Sequence, residues 1–177
     1  MSDEIKALKR NHTWNIVDLP ARKKPIGCKW VYKIKQKFDV GIERYKAWLV
    51  AKGYTQRKGI DFLDTYSPVA KLTTIRVILA LAAIKDCFFK QLDVDNALLH
   101  GDLNEEVYME VSPGVDTKKA NQVCCLDKSL YGLKQASRQW YEKLTSHLFT
   151  IGFNQSKADH SLFIKKYEKS FISFYLR

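Results

Sequence analysis

The residues best suited to chemistry lie in one run, Gln91-Leu-Asp-Val-Asp-Asn-Ala-Leu-Leu-His-Gly101. Phe88 to Val94 is short, apolar and β-prone, which predicts a core strand carrying Asp93 at its end. A carboxylate in that position costs free energy unless it is paired or binds a cation. Asp93 is therefore a candidate ligand for a hard ion such as Mg²⁺, which takes one or two carboxylates plus substrate phosphates. Asp95 shares a face with Asp93 if the chain stays extended. The residues after it favour a turn, and capping that turn beside Asn96 is the structural alternative.

Other familiar sites fail on spacing. Cys28, Cys87, Cys124 and Cys125 lack a CxxC pair, and His12, His100, His147 and His160 show no ligand pairing, so a zinc site is not expected. There is no glycine-rich phosphate loop and no nucleophile elbow.

The charge is unevenly placed. Of 30 Lys and Arg against 19 Asp and Glu, residues 1–60 hold fifteen bases and five acids, and the rest of the chain is nearly balanced. A localised basic segment attracts polyanions by counterion release, which points to nucleic acid or a nucleoside triphosphate; a solvated, solubilising surface is the alternative. With 177 residues, 46% of them hydrophobic, one globular domain is expected and wholesale disorder is not. No apolar run reaches the ~18 residues of a membrane span, and the first ten residues are not a secretory signal. An intracellular chain with no membrane partner is expected.

These candidates need elements to position them. Ser2 to Asn11 reads as a helix with Ser2 as cap and Ile5 and Leu8 on one face. From Ile26 to Lys37 the chain alternates, with Ile26, Cys28, Trp30, Tyr32 and Ile34 on one side and Lys29, Lys33, Lys35 and Lys37 on the other. A turn at Asp39–Val40–Gly41 leads to a second strand from Glu43 to Tyr54, giving a β-hairpin with one cationic face. Thr73 to Lys85 reads as a buried helix with Ile75, Ile78, Leu79 and Ala82 as its apolar stripe. Short strands follow at 107–111 and 123–126, then a helix from Ser137 to Ile151 stopped by Gly152, then strands at 161–165 and 170–176. The fold class is α+β.

Several stretches taken together carry a more specific signal: NHTWNIVDLP (11–20), PIGCKWVYKIK (25–35), IERYKAWLVAKGYTQRKGIDFLDTYSPVAKLTTIR (42–76), QLDVDNALLHGDLNEEVYM (91–109), KSLYGLKQASRQWYEKL (128–144) and DHSLFIKK (159–166). In order and spacing the chain resembles the reverse transcriptase domain of copia-type long-terminal-repeat retrotransposon polyproteins. The resemblance implies one partial right-hand polymerase domain over 1–177, with a fingers hairpin at 26–56 and a palm from about residue 65. It implies nucleotidyl transfer assisted by two metal ions, with RNA template or RNA–DNA duplex and a deoxynucleoside triphosphate as partners. Asp93 matches the first metal aspartate, and Val94 lends its carbonyl to the same Mg²⁺. Asp95, Asn96 and Ala97 match the turn that meets the triphosphate; Lys46, and less securely Lys52, match the basic fingers strand; Tyr131 and Gly132 match a loop near the nucleotide.

Three departures qualify it. Trp48 stands where the family usually has Arg in KARLVAKG, and a ring with one neutral donor replaces a permanent charge with a fork of donors. Leu98 stands where an aromatic ring normally presses on the nucleotide sugar, which weakens the expected exclusion of a 2′-hydroxyl. The sequence stops at SFISFYLR, where the family's Tyr-x-Asp-Asp segment and its other two metal carboxylates should begin. A truncated, catalytically incomplete fragment with an unpaired palm edge is thus expected, located in the cytoplasm where copia-type elements copy their RNA. A non-catalytic nucleic-acid-binding module, or a remnant without function, is the alternative.

Overall fold

The computed structural model describes residues 1–38, 41–117, 119, 121–168 and 170–176. They form two compact units. Unit 1 comprises residues 1–66 and 96–140, and unit 2 residues 67–95 and 141–177.

Unit 1 opens with helix α1, Ser2–Arg10, whose amphipathic pattern buries Ile5 and Leu8 as expected. Met1 occupies the cap position, and no side chain caps this end. The next element is a strand, β1 (Trp14–Asp18), for which the sequence reading had no counterpart. The hairpin forms from β2 (Cys28–Gln36) and β3 (Ile42–Ala51), antiparallel, with a bulge after Lys35. The proposed turn residues Asp39 and Val40 lie outside the described residues; on either side of them, the Lys37 amide donates to the Gly41 carbonyl at 2.7 Å. Strands β4 (Asp102–Glu110) and β5 (Gln122–Lys128) pair antiparallel, and β1 adds to the other edge of β5. The core of this unit gathers Leu8, Leu49, Leu99, Met109, Cys124, Leu126 and Leu130. Burial among these residues pushes the Cys124 thiol up to about 12, so it packs as a small apolar group.

Unit 2 contains α2 (Leu72–Ile84) and a small antiparallel sheet of β6 (Asn154–Gln155), β7 (Leu162–Lys166) and β8 (Phe171–Tyr175) in that order. Helix α3 (Ala136–Thr150) ends where Gly152 takes φ +88°, with the Phe153 amide donating to Leu148 and the Gly152 amide to Phe149. Asp159 anchors this unit. Its carboxylate accepts from the Ser161 amide at 3.0 Å, the Ser161 hydroxyl at 2.6 Å and the Tyr175 hydroxyl at 3.3 Å. The Tyr175 hydroxyl also donates to the Lys71 carbonyl, and the Lys71 ammonium donates to the Ala158 carbonyl, which ties down the start of α2.

Two expectations fail in unit 2. The predicted buried helix forms on schedule, but none of its residues is fully buried. Its stripe residues Ile75, Ile78 and Ala82 are half-buried, and Leu79 is exposed. The helix is apolar nearly all round, whereas the hydrogen bonds that attach it come from Lys71 and the first turn. Likewise, Phe88 to Val94 is not a strand: it joins no ladder, and Phe88, Phe89 and Leu92 are exposed. β-Propensity makes a strand only where a neighbour supplies the ladder, and none of the described strands pairs with this segment.

Candidate nucleotide and nucleic-acid site

The hairpin register sorts its side chains. Lys33 stands opposite Lys46, Lys35 opposite Arg44, Val31 opposite Trp48 and Lys29 opposite Val50, all on one face. Like charges directly opposite one another destabilise a sheet. Two such pairs in a row therefore work against folding and make a strip where an anion would be welcome. Lys46 is half-buried, its ammonium 5.8 Å from the centroid of the Trp48 ring. Glu4 of α1 lies beside it: burial raises the Glu4 carboxyl, against the opposing pull of the N-terminal ammonium and Lys46.

Beyond Lys46 and Trp48 the strand runs into a tightly packed corner. The Ala51 amide donates to the Tyr131 carbonyl at 2.8 Å. Gly132 has φ +89°, and a Cβ there would fall 2.2 Å from the Ala51 carbonyl oxygen and 2.7 Å from Val50 Cγ1. Gly53 meets the same corner from the other side, since its Cβ would sit 2.0 Å from the Gly132 carbonyl oxygen. Only glycine satisfies both the close approach and the positive φ. Across the corner, the Tyr131 hydroxyl donates to Asn96 Oδ1 at 3.4 Å. Asn96 is itself left-handed (φ 53°, ψ 38°) and starts a 3₁₀ turn, Ala97–His100. That turn buries Leu99, and the Leu99 carbonyl accepts from Asn11 Nδ2 at 2.6 Å; Leu98 packs partly against the core.

The structure therefore brings Tyr131, Gly132 and Asn96 together at the end of β3, the strand that carries Lys46. Lys52 goes elsewhere: its stem lies against Gly27, and its ammonium and Glu110 Oε2 both lie close to that glycine. The sequence reading missed the support behind the corner. Gln56 Nε2 donates to Gln135 Oε1 at 3.1 Å, both residues being buried, and Gln56 Oε1 accepts from the Lys134 amide at 2.9 Å. Gln135 Nε2 reaches the Asp61 carbonyl at 3.3 Å. Buried amides are satisfied only by such reciprocal bonds, so these glutamines fix the loop that bears Tyr131 and Gly132. Their positions inside KGYTQRKG and YGLKQAS were the available signal.

Asp93, Val94 and Asp95 belong to unit 2, whereas Lys46, Asn96, Ala97, Leu98, Tyr131 and Gly132 belong to unit 1. Asp93 is exposed, and Asp95 opens the turn that Asn96 continues. Among the described residues no group of three His, Cys, Asp or Glu side chains gathers in a metal-holding cluster, and no helix is long and apolar enough to cross a membrane.

The geometry thus sets a basic antiparallel hairpin, docked through paired glycines, beside an Asn-Ala turn. Residues 11–176 match the family described as reverse transcriptase (RNA-dependent DNA polymerase), and the chain belongs to that family. It is 48% identical over 174 residues to the retrovirus-related Pol polyprotein from transposon TNT 1-94 of Nicotiana tabacum, covering 97% of this chain and 13% of the relative. Its identity to the Pol polyprotein from transposon RE1 of Arabidopsis thaliana is also 48%, covering 97% of this chain and 12% of that one. It is 42% identical over 119 residues to an uncharacterized mitochondrial protein of Arabidopsis thaliana, covering 67% of this chain and 63% of that protein. The chain thus spans about one-eighth of the length of these polyproteins and is a reverse transcriptase domain fragment of the copia-type Pol kind. No solved structure matches it.

Proposed function

We propose that the chain supplies the fingers and part of the palm of a right-hand polymerase that copies RNA into DNA. The observation that carries this is the cationic face of the hairpin: Lys33 against Lys46 and Lys35 against Arg44, beside the corner formed by Tyr131, Gly132 and Asn96. An arrangement that costs folding energy is retained where an anion repays it, and a triphosphate and a nucleic-acid backbone are both such anions. In this reading Lys46 meets the triphosphate, the Asp95–Asn96–Ala97 backbone lies along it, Tyr131 and Gly132 shape the loop at its base or sugar, and Leu98 takes the sugar-side position.

Asp93 and the Val94 carbonyl are hard oxygen donors of the type Mg²⁺ prefers, and they are the residues proposed to hold it. Ions held there would supply positive charge for the oxygens of a phosphoryl group in transfer. One aspartate and one carbonyl do not suffice for two ions, so the isolated chain is proposed to bind substrates without extending a primer.

The test is equilibrium binding of a labelled deoxynucleoside triphosphate in Mg²⁺, followed by primer extension. Lys46→Ala should weaken triphosphate binding about tenfold, the loss of one charged hydrogen-bonded contact. An unchanged affinity would remove Lys46 from the site, and extension by the isolated chain would refute its incompleteness. The charged hairpin also supports the simpler alternative of a nucleic-acid-binding module. That version predicts salt-sensitive binding to RNA–DNA duplex that survives Asp93→Asn and weakens when Lys33, Lys35 and Lys46 are neutralised.

A further inference from the structure

The hairpin has a second face that the cationic-face proposal leaves unused. Near the body of unit 1 this face is covered: Leu49 and Ala51 are buried, and Cys28 and Trp30 pack on the core. Further out the covering stops, and Tyr32, Ile34 and Tyr45 are 64%, 52% and 73% exposed. Tyr32 stands opposite Ala47, and Ile34 opposite Tyr45, so Tyr32 and Tyr45 are diagonal neighbours on one face. Diagonal positions are within reach of aromatic side chains, and the small Ala47 beside them leaves the rings open. The Tyr32 hydroxyl donates to Met1 Sδ at 3.0 Å, which steadies that ring while most of it stays exposed.

An apolar strip on the outer half of a thin two-stranded ribbon marks an interaction surface. Its neighbours indicate what it takes. Lys33, Lys35, Arg44 and Lys46 project from the opposite side of the same ribbon, one backbone layer away, so their field reaches both faces well within a Debye length. Open aromatic rings in a strongly positive field suit a flexible polyanion that carries its own flat apolar rings. Unpaired nucleotides match on both counts.

We propose that Tyr32 and Tyr45 form a stacking platform for the unpaired bases of a single-stranded nucleic acid, so that the hairpin is gripped on both sides. The proposal rests on the cationic face being a nucleic-acid surface, and its test separates the two. The full chain is titrated, by fluorescence anisotropy, against a uridine RNA of about 12 nucleotides, within the usual site size for such surfaces, and against an equally long abasic strand. Tyr32→Ala and Tyr45→Ala should each weaken the uridine strand about tenfold and leave the abasic strand unchanged, while Tyr45→Phe should retain binding. Lys33→Gln with Lys35→Gln should weaken both strands and flatten the salt dependence. If the lysine substitutions change neither strand, the cationic-face reading fails. If the tyrosine substitutions leave the uridine strand unaffected, or weaken both strands equally, the platform fails. Tyrosine variants that alter only self-association in sedimentation would assign the strip to a second copy of the chain and equally overturn the proposal.

Discussion

The two sets of proposed site residues rest on different kinds of support. In unit 1, Lys46 sits on a ten-residue strand with a full ladder partner, and Tyr131, Gly132 and Asn96 are held by backbone bonds, a left-handed turn and a pair of buried glutamines. In unit 2, Asp93 lies in a segment without a ladder, flanked by the exposed Leu92 and Val94. Recognition of a phosphate tolerates mobile donors, whereas a metal pair needs its ligands fixed to a fraction of an ångström. If the proposed function holds, nucleotide and strand binding would separate from metal chemistry in this chain, and the two units should differ in how sharply they respond to substitution.

The largest effect should come from the glycine corner. Gly132→Ala places a methyl against backbone at a positive φ and should destabilise unit 1 by about 4 kcal/mol, the sum of backbone strain and overpacking. All four tryptophans, Trp14, Trp30, Trp48 and Trp140, belong to unit 1, so tryptophan fluorescence in urea reads this unit directly. The counterpart in unit 2, Gly152→Ala, also has a positive φ but meets only the Lys165 side chain at 3.6 Å or more, and should cost about 1 kcal/mol. Equal losses would erase the contrast. A second pair sharpens it: Leu49→Ala, at a fully buried site, should cost about 3 kcal/mol, while Leu92→Ala, 72% exposed, should stay within about 0.5 kcal/mol.

What the sequence made legible follows the same division. Alternation exposed the hairpin because apolar and basic side chains take turns from Ile26 to Lys37, and the cationic strip followed from it; that the apolar side is covered near Cys28 and Trp30 but open at Tyr32 and Ile34 did not. Helices α1, α2 and α3 were found within a residue or two, because apolar spacing and Gly152 mark them locally. β1 was missed: Trp14 to Asp18 is only five residues long, and it becomes a strand through Leu126, Cys125 and Cys124, more than a hundred residues away. The depth of α2 and the strand at 88–94 were misjudged for the same reason, since burial and laddering are properties of neighbours and not of the segment. The candidate site residues were visible as motif positions. Their geometry, above all the facing of Gly53 and Gly132 and the Gln56–Gln135 pair, was not, because it joins residues some eighty positions apart.

Acid should affect unit 2 in a defined window. Burial alone would raise the Asp159 carboxyl, but hydrogen bonds from the Ser161 hydroxyl and amide, Thr74 and Tyr175 outweigh it and hold it at about 2. Because that is below the ordinary carboxylate value, the stabilisation is complete above about pH 4 and is lost as pH falls through about 2. Asp159→Asn should therefore cost about 2 kcal/mol at pH 7, the worth of charged hydrogen bonds at a buried site. The gap from the parent chain should close on acidification toward pH 2. Amide exchange at β7 and β8 measures it, and a gap that stayed constant with pH would mean that the carboxylate charge contributes nothing.

The smallest expected change is the most informative about the site itself. Trp48 shares its strand face with Lys46, and their contact is a partly exposed cation–π pair worth about 0.5 kcal/mol. Trp48→Arg sacrifices that contact and adds a third like charge beside Lys33 and Lys46, so stability should fall by less than about 1 kcal/mol. In exchange, a planar fork of donors appears on the face that the triphosphate is proposed to meet, and triphosphate affinity should rise about threefold to tenfold, most clearly at low salt. Trp48→Lys should give less of this gain, because an ammonium is a point charge without the bidentate geometry. If the arginine variant binds triphosphate no better than the parent while strand binding improves, the outer part of the cationic face serves the nucleic-acid backbone, and triphosphate contact would be confined to the corner at Asn96, Tyr131 and Gly132.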